Sequence, residues 1–155
     1  MIWLQSALLY LHIVAAIFWF GSGLTFQHVI VPALEKLEFG GQKTFMASIG
    51  GGYGKVIPIV AGSVILFGIL RGISTGVLGI ITSAYGITWL LAIAGGLVVL
   101  FIGARFIGPT AQRMEKAATH EEFMVDIAKI KRYGMAERTG MLGMVVLMVA
   151  MHAGY

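Results

Sequence analysis

Three ionisable residues stand inside long apolar runs: His12, Arg71 and His152. An ionisable side chain at membrane depth is costly, so it faces a partner, a cavity or a cofactor. The chain has no cysteine, which excludes disulfides, iron–sulfur clusters, covalent c-type haem and thiolate zinc sites. Histidine and methionine are then the ligands left for a soft or borderline metal. Two neutral imidazoles on facing helices can clamp a haem iron axially, and the core of a helix bundle is a common place for such a site. The pair expected to do so is His12 and His152, the candidate metal ligands. Arg71 is the cation expected to meet the haem propionates. Trp19, with Phe18 and Phe20, is placed to pack on the macrocycle, and Gly21 and Gly23 leave room for its edge. The plainer reading is that each histidine bonds to a neighbouring helix and that Arg71 snorkels to the interface.

Depth supports the first grouping. His12 lies nine residues after Trp3, about 13–15 Å below one interface at helical rise. His152 lies fourteen residues after Arg138, about 21 Å above the other interface. That leaves it roughly 9 Å from the first side of an apolar core about 30 Å thick. Arg71 follows Lys55 by sixteen residues, or about 24 Å. All three fall in the same half of the bilayer.

A second polar group gathers at the opposite interface: Gln27, His28, Arg105, Glu137 and Arg138. His28 is sixteen residues after His12 and so lies roughly 160° round the helix from it. It is a candidate ligand for a second haem, or an interfacial hydrogen-bond partner. Glu137 is expected to form a salt bridge with Arg138 or Arg105, and His120 is expected to be solvated. Met141, Met144, Met148 and Met151 form a stripe with His152 near it. Methionine and histidine together suit Cu(I), although methionine also packs adaptably in any core.

These residues must be positioned by membrane helices. Of 155 residues, 58% are hydrophobic and only 12% charged, about half the charged fraction of a soluble domain. Four segments satisfy the requirement of about 20 apolar residues per span: roughly 3–34, 56–79, 87–107 and 137–155, with Pro109 expected to end the third helix. The expected fold is all-α, a single integral membrane domain over 1–155 forming a four-helix bundle. The first segment is too long for the apolar core of a signal peptide and no Lys or Arg precedes it. Small residues four apart, as in Gly68-x-x-x-Gly72 and Ala136-x-x-x-Gly140, suit close helix packing.

Lys and Arg fix the expected orientation. Lys36, Lys43 and Lys55 flank the first link, and seven more, from Arg105 to Arg138, flank the third. The opposite side has Arg71 alone. The positive-inside rule puts both links in the cytoplasm and both termini outside a cell membrane crossed several times. The net charge of +4 is explained by these flanks, with no nucleic acid as partner. Gly40–Gly41 and Gly50–Gly52 predict a mobile first link. In the third, Thr119 and Glu122 fit a capping box, and Phe123, Ile127 and Ile130 recur at helical spacing, predicting a helix over 110–132.

The stretch Leu11-His12-Ile13-Val14-Ala15-Ala16-Ile17-Phe18-Trp19-Phe20-Gly21-Ser22-Gly23, closing at Val31-Pro32-Ala33-Leu34, resembles the first helix of CopD-like membrane proteins. Those carry a Leu-His, then a Trp followed by small residues, then a Pro-Ala-Leu. Protoporphyrinogen oxidases of the HemJ type resemble it more loosely. The likeness covers one helix and implies a copper- or haem-associated four-helix protein, with weight on His12 and the Trp19–Gly23 stretch. HemJ-type enzymes also use a membrane lysine, which is missing from the helix interiors here. The expected function is a haem b-binding membrane protein in electron transfer or haem handling, served by a redox partner or quinone. The alternatives are CopD-like copper handling and a non-redox structural subunit; self-association suits any of them. No nucleophile–base pair and no carboxylate pair at depth marks a catalytic residue.

Overall fold

The computed structural model describes residues 2–154 as an all-helical bundle. Four helices are long and apolar enough to cross a membrane: α1 (Ile2–Leu34), α2 (Phe39–Ser74), α3 (Ala84–Lys116) and α4 (His120–His152). The connections are short, so consecutive helices run antiparallel. Both ends of the described chain therefore lie at one end of the bundle. The α1–α2 and α3–α4 links lie at the other, basic end. α1 packs chiefly on α2, and α3 on α4.

The helices overrun the apolar segments. The first link is no mobile loop: Gly40, Gly41 and Gly50–Gly52 all lie within α2. Buried Gln42 pins this start, its Nε2 donating to the Leu34 carbonyl at 3.0 Å and its Oε1 lying 3.2 Å from His120 Nδ1. The 110–132 stretch is the end of α3 and the start of α4, broken by a turn at 117–119. Thr119 caps α4 by accepting from Glu122 N at 3.2 Å, and the Glu122 carboxylate accepts from Ala118 N at 2.9 Å. The α2–α3 turn holds Gly76 at φ 84°, a left-handed conformation that glycine adopts without a Cβ penalty.

Prolines shape α1 and α3. Pro109 was expected to end the third helix, yet α3 continues to Lys116. Just before it the backbone widens to a π-helical stretch, Gly103–Ile107, and just before Pro32 another runs Phe26–Ile30. A proline ring clashes with the carbonyl four residues back and has no N–H to bond it. Widening the turn moves that carbonyl aside and lets the helix pass the proline.

Burial follows the solvent. The best-buried core is at the basic end: Val31, Leu34, Met114, Phe123, Ile127 and Ile130 are nearly or fully inaccessible. This is the apolar face that the spacing of Phe123, Ile127 and Ile130 announced. The outer face of this part of α4 is charged, unlike the apolar outer face of the part that follows. Asp126 is buried there between Lys129 Nζ at 2.8 Å and Arg113 Nε at 3.3 Å. Burial opposes its ionisation, but hydrogen bonds and charge from Lys129 and Arg113 outweigh it and hold the carboxyl below its ordinary range. In the apolar part a smaller core joins Trp19, Ala61, Val64, Val99 and Met141. Outward side chains such as Ile17, Ile59, Val98 and Val146 are exposed, the surface expected of helices solvated by lipid.

Close helix packing depends on several glycines, among them Gly72, Gly134 and Gly140. A Cβ at Gly72 would collide with the Trp89 indole of α3, and one at Gly134 with the Gln27 amide of α1. Gly72→Val is expected to destabilise the bundle by about 1–3 kcal/mol through overpacking. Gly62→Ala, with open space around its Cβ, should leave stability unchanged or raised. Thermal unfolding of the two variants in detergent checks the contrast.

Candidate functional site

His12 is held by α2. Its Nδ1 lies 2.8 Å from the Val64 carbonyl. A carbonyl only accepts, so Nδ1 carries the hydrogen, and in the neutral imidazole Nε2 keeps its lone pair. The ring lies against Gly68, where a Cβ would stand 3.0 Å from His12 Cε1. Trp89 Nε1 donates to the Gly68 carbonyl at 3.4 Å. The Gly68-x-x-x-Gly72 groove therefore receives one side chain from α1 and one from α3.

The half-buried imidazole lines a cavity of about 80 Å³ near the end of the bundle that holds the chain ends. Trp19, Arg71, Trp89, Met144, Met148 and Met151 line it too. The methionine stripe is thus divided: three residues reach the cavity, while Met141 is buried beside Gly23 in the smaller core. His152, expected opposite His12, is exposed on the last turn of α4 and does not line the cavity. Arg71 does line it. Among the described residues no three His, Cys, Asp or Glu side chains gather as a metal-ligand set. Further ligands to a metal at His12 would therefore be thioethers, water or groups from another molecule.

The remaining candidates lie elsewhere. Gly21 lines a shallow groove with Phe18 and Ser22. Gly23 lines a second cavity of about 160 Å³ in the basic half, whose walls include Trp19. Trp19, 4% exposed, therefore stands between the two cavities. His28 is exposed, with its Nε2 2.6 Å from Arg138 Nη1. Guanidinium nitrogens only donate, so this contact engages the His28 lone pair, as an interfacial partner would. Glu137 forms neither expected salt bridge: among the described residues the ion pairs are Arg113–Asp126, Lys129–Asp126 and Lys131–Glu35. Its carboxylate lines the second cavity. Trp89 was not anticipated as a site residue; its signal was the facing Gly68 and Gly72, which only a bulky neighbour explains.

Comparison with protein-family models, curated proteins and solved structures returned no match. The CopD-like resemblance therefore stands on the α1 residues alone.

The hydrogen-bond geometry makes a direct prediction. In ¹⁵N-histidine-labelled protein at neutral pH, His12 is expected to show a protonated Nδ1 and an unprotonated Nε2. The reverse tautomer would mean that the Val64 bond is not made.

Proposed function

We propose that this chain is a multi-pass cell-membrane protein that handles Cu(I), taking the ion at His12 Nε2 beside thioethers of α4. The observation that carries this reading is the His12–Val64 bond. It commits Nδ1 as donor, and a second ring nitrogen fixed by such a bond is the usual support of a metal-ligating histidine. The free lone pair then belongs to a group that lines a cavity with three methionines, and imidazole with thioether is a donor set that favours Cu(I). Size agrees. A cavity of about 80 Å³ has room for an ion with its remaining waters, since one water needs at least about 10–15 Å³ of such space. Arg71 disfavours any cation there, and a divalent one more than a monovalent one. The α1 resemblance to CopD-like proteins points the same way. By the positive-inside rule, both termini lie outside the cell and the site opens toward that side.

A second reading is favoured by Arg71. A guanidinium beside the His12 cavity is the natural partner of a haem propionate. Haem b on His12 would make the chain an electron-transfer or haem-handling protein with a redox partner or quinone. A macrocycle is far larger than the roughly 80 Å³ of space beside His12, so this reading requires the helices to part. His152 or a methionine of α4 would then be the opposite ligand.

One variant, Arg71→Leu, separates the two. Cu(I) delivered from a competing chelator is expected to bind with one-to-one stoichiometry. His12→Ala should abolish it, and Gly68→Ala, which pushes on the ring, should weaken it about tenfold or more. Arg71→Leu should tighten Cu(I) by removing a repelling charge. If haem is the cargo, the same Arg71→Leu change weakens binding and lowers the reduction potential, because removing a nearby positive charge stabilises ferric over ferrous iron. Protein that takes up neither Cu(I) nor haem, by competition or by a Soret band, sinks both readings and leaves the structural-subunit role. Orientation has its own test. The chain lacks cysteine, so single cysteines can be introduced cleanly. One placed at Lys116 should resist an impermeant thiol reagent in intact cells, and labelling from outside would reverse the topology.

A further inference from the structure

The second cavity has no place in copper or haem handling at His12, and its chemistry is different. It lies in the basic half of the bundle, with about 160 Å³ of space. Its walls are mostly apolar, with three aromatic rings: Trp19, Phe26 and Tyr53. Phe26 and Tyr53 stack with centroids 5.5 Å apart. The Tyr53 hydroxyl donates its hydrogen to the Ser22 carbonyl at 2.8 Å, so toward any ligand its oxygen can only accept. Two carboxylates line the space, Glu137 and Glu115, and no Lys, Arg or His does. Glu115 belongs to an exposed residue at the rim, its Oε2 3.2 Å from where a Gly50 Cβ would stand. Glu137 is half-buried and takes part in none of the ion pairs among the described residues.

The two π-helical stretches meet here. Phe26 and Gln27 come from the one in α1; Gly103, Ala104 and Ile107 come from the one in α3. Both widened turns thus border the same space, and such turns concentrate at functional sites. Gly103 also gives Glu137 its room, since a Cβ there would lie 3.5 Å from Glu137 Oε1.

We infer that this cavity binds a small amphipathic organic cation, a substituted ammonium on a single-ring apolar body, with Glu137 as its counter-ion. Three observations converge on that class. The charge lining the space is anionic only, so a cation gains and an anion is repelled. The aromatic walls attract ammonium groups through their ring faces. The apolar remainder favours a hydrophobic body over a hydrated metal ion, which would lose its water without enough oxygen ligands to replace it. Glu115 at the rim draws the cation in, and Glu137 holds it.

The test uses full-length protein in nanodiscs of zwitterionic lipid. The probes are benzyltrimethylammonium and phenylacetate, which share a ring and differ in charge. Calorimetry should show saturable binding of the cation and none of the anion, and the cation should perturb tryptophan fluorescence through Trp19. Glu137→Gln should weaken the cation about tenfold or more, and Glu115→Gln should weaken it less. Gly103→Val keeps the carboxylate but fills the space beside it, and should also lose binding, so the outcome does not hang on one variant's folding. Equal binding of both probes, wild-type affinity in Glu137→Gln or Gly103→Val, or no saturable binding at millimolar cation would overturn the inference.

Discussion

The missing side chain at Gly68 is the constraint on which the terminal half of the bundle depends. At that one residue α2 meets both of its neighbours, the His12 ring from α1 and the Trp89 indole from α3. In lipid there is no hydrophobic drive to bring apolar helices together, so van der Waals fit and interhelical hydrogen bonds must do it. Gly68 and Gly72 supply the fit, while the Val64 and Gly68 carbonyls accept the two hydrogen bonds. The same bond that ties α1 to α2 fixes the His12 tautomer. Packing and site chemistry are therefore one interaction, and a change that loosens the helix pair also frees the imidazole.

The basic half is held by different means. There the helices leave the apolar layer, and a core of Leu34, Met114, Phe123, Ile127 and Ile130 is buried as in a water-soluble bundle. Water restores the hydrophobic drive that lipid lacks. The π-helical turns before Pro32 and Pro109 both border the second cavity, which lies between this core and the smaller one around Trp19.

Much of this was legible in the sequence. The four spans follow from composition and length, and the Thr119–Glu122 cap and the Phe123–Ile127–Ile130 face follow from spacing. The glycine-rich start of α2 was not legible as helix. Glycine lowers local helix propensity, but Gln42 and the buried Met46 supply tertiary contacts that override it. Pro109 misled for a related reason: the rule that proline stops a helix omits the π-helical turn that lets one continue. Matched depth was a sound guide for His12 and Arg71, which line one cavity. It could not give the azimuth of His152 on the last turn of α4, where the side chain is exposed. Glu137 was assigned a salt bridge because Arg138 adjoins it and Arg105 shares its depth, yet it lines the second cavity and pairs with neither.

The two cavities are electrostatic opposites in one small bundle. Arg71 is the charged group at the His12 cavity, and Glu115 and Glu137 are those of the other. Trp19 lines both. On the proposed assignments a cation is favoured at the basic half and disfavoured near His12, unless it is soft enough for imidazole and thioether to outweigh Arg71. That asymmetry selects by ligand chemistry as well as charge. An ammonium has no empty orbital for a nitrogen or sulfur donor and so lacks the coordination that would offset Arg71 near His12, whereas a soft metal ion gains little from Glu137 among apolar walls. The indole of Trp19 is the partition, and its burial in the Ala61–Val64–Val99 core holds it in place. Two small sites of opposite sign can coexist so close together because neither shares a charged residue with the other.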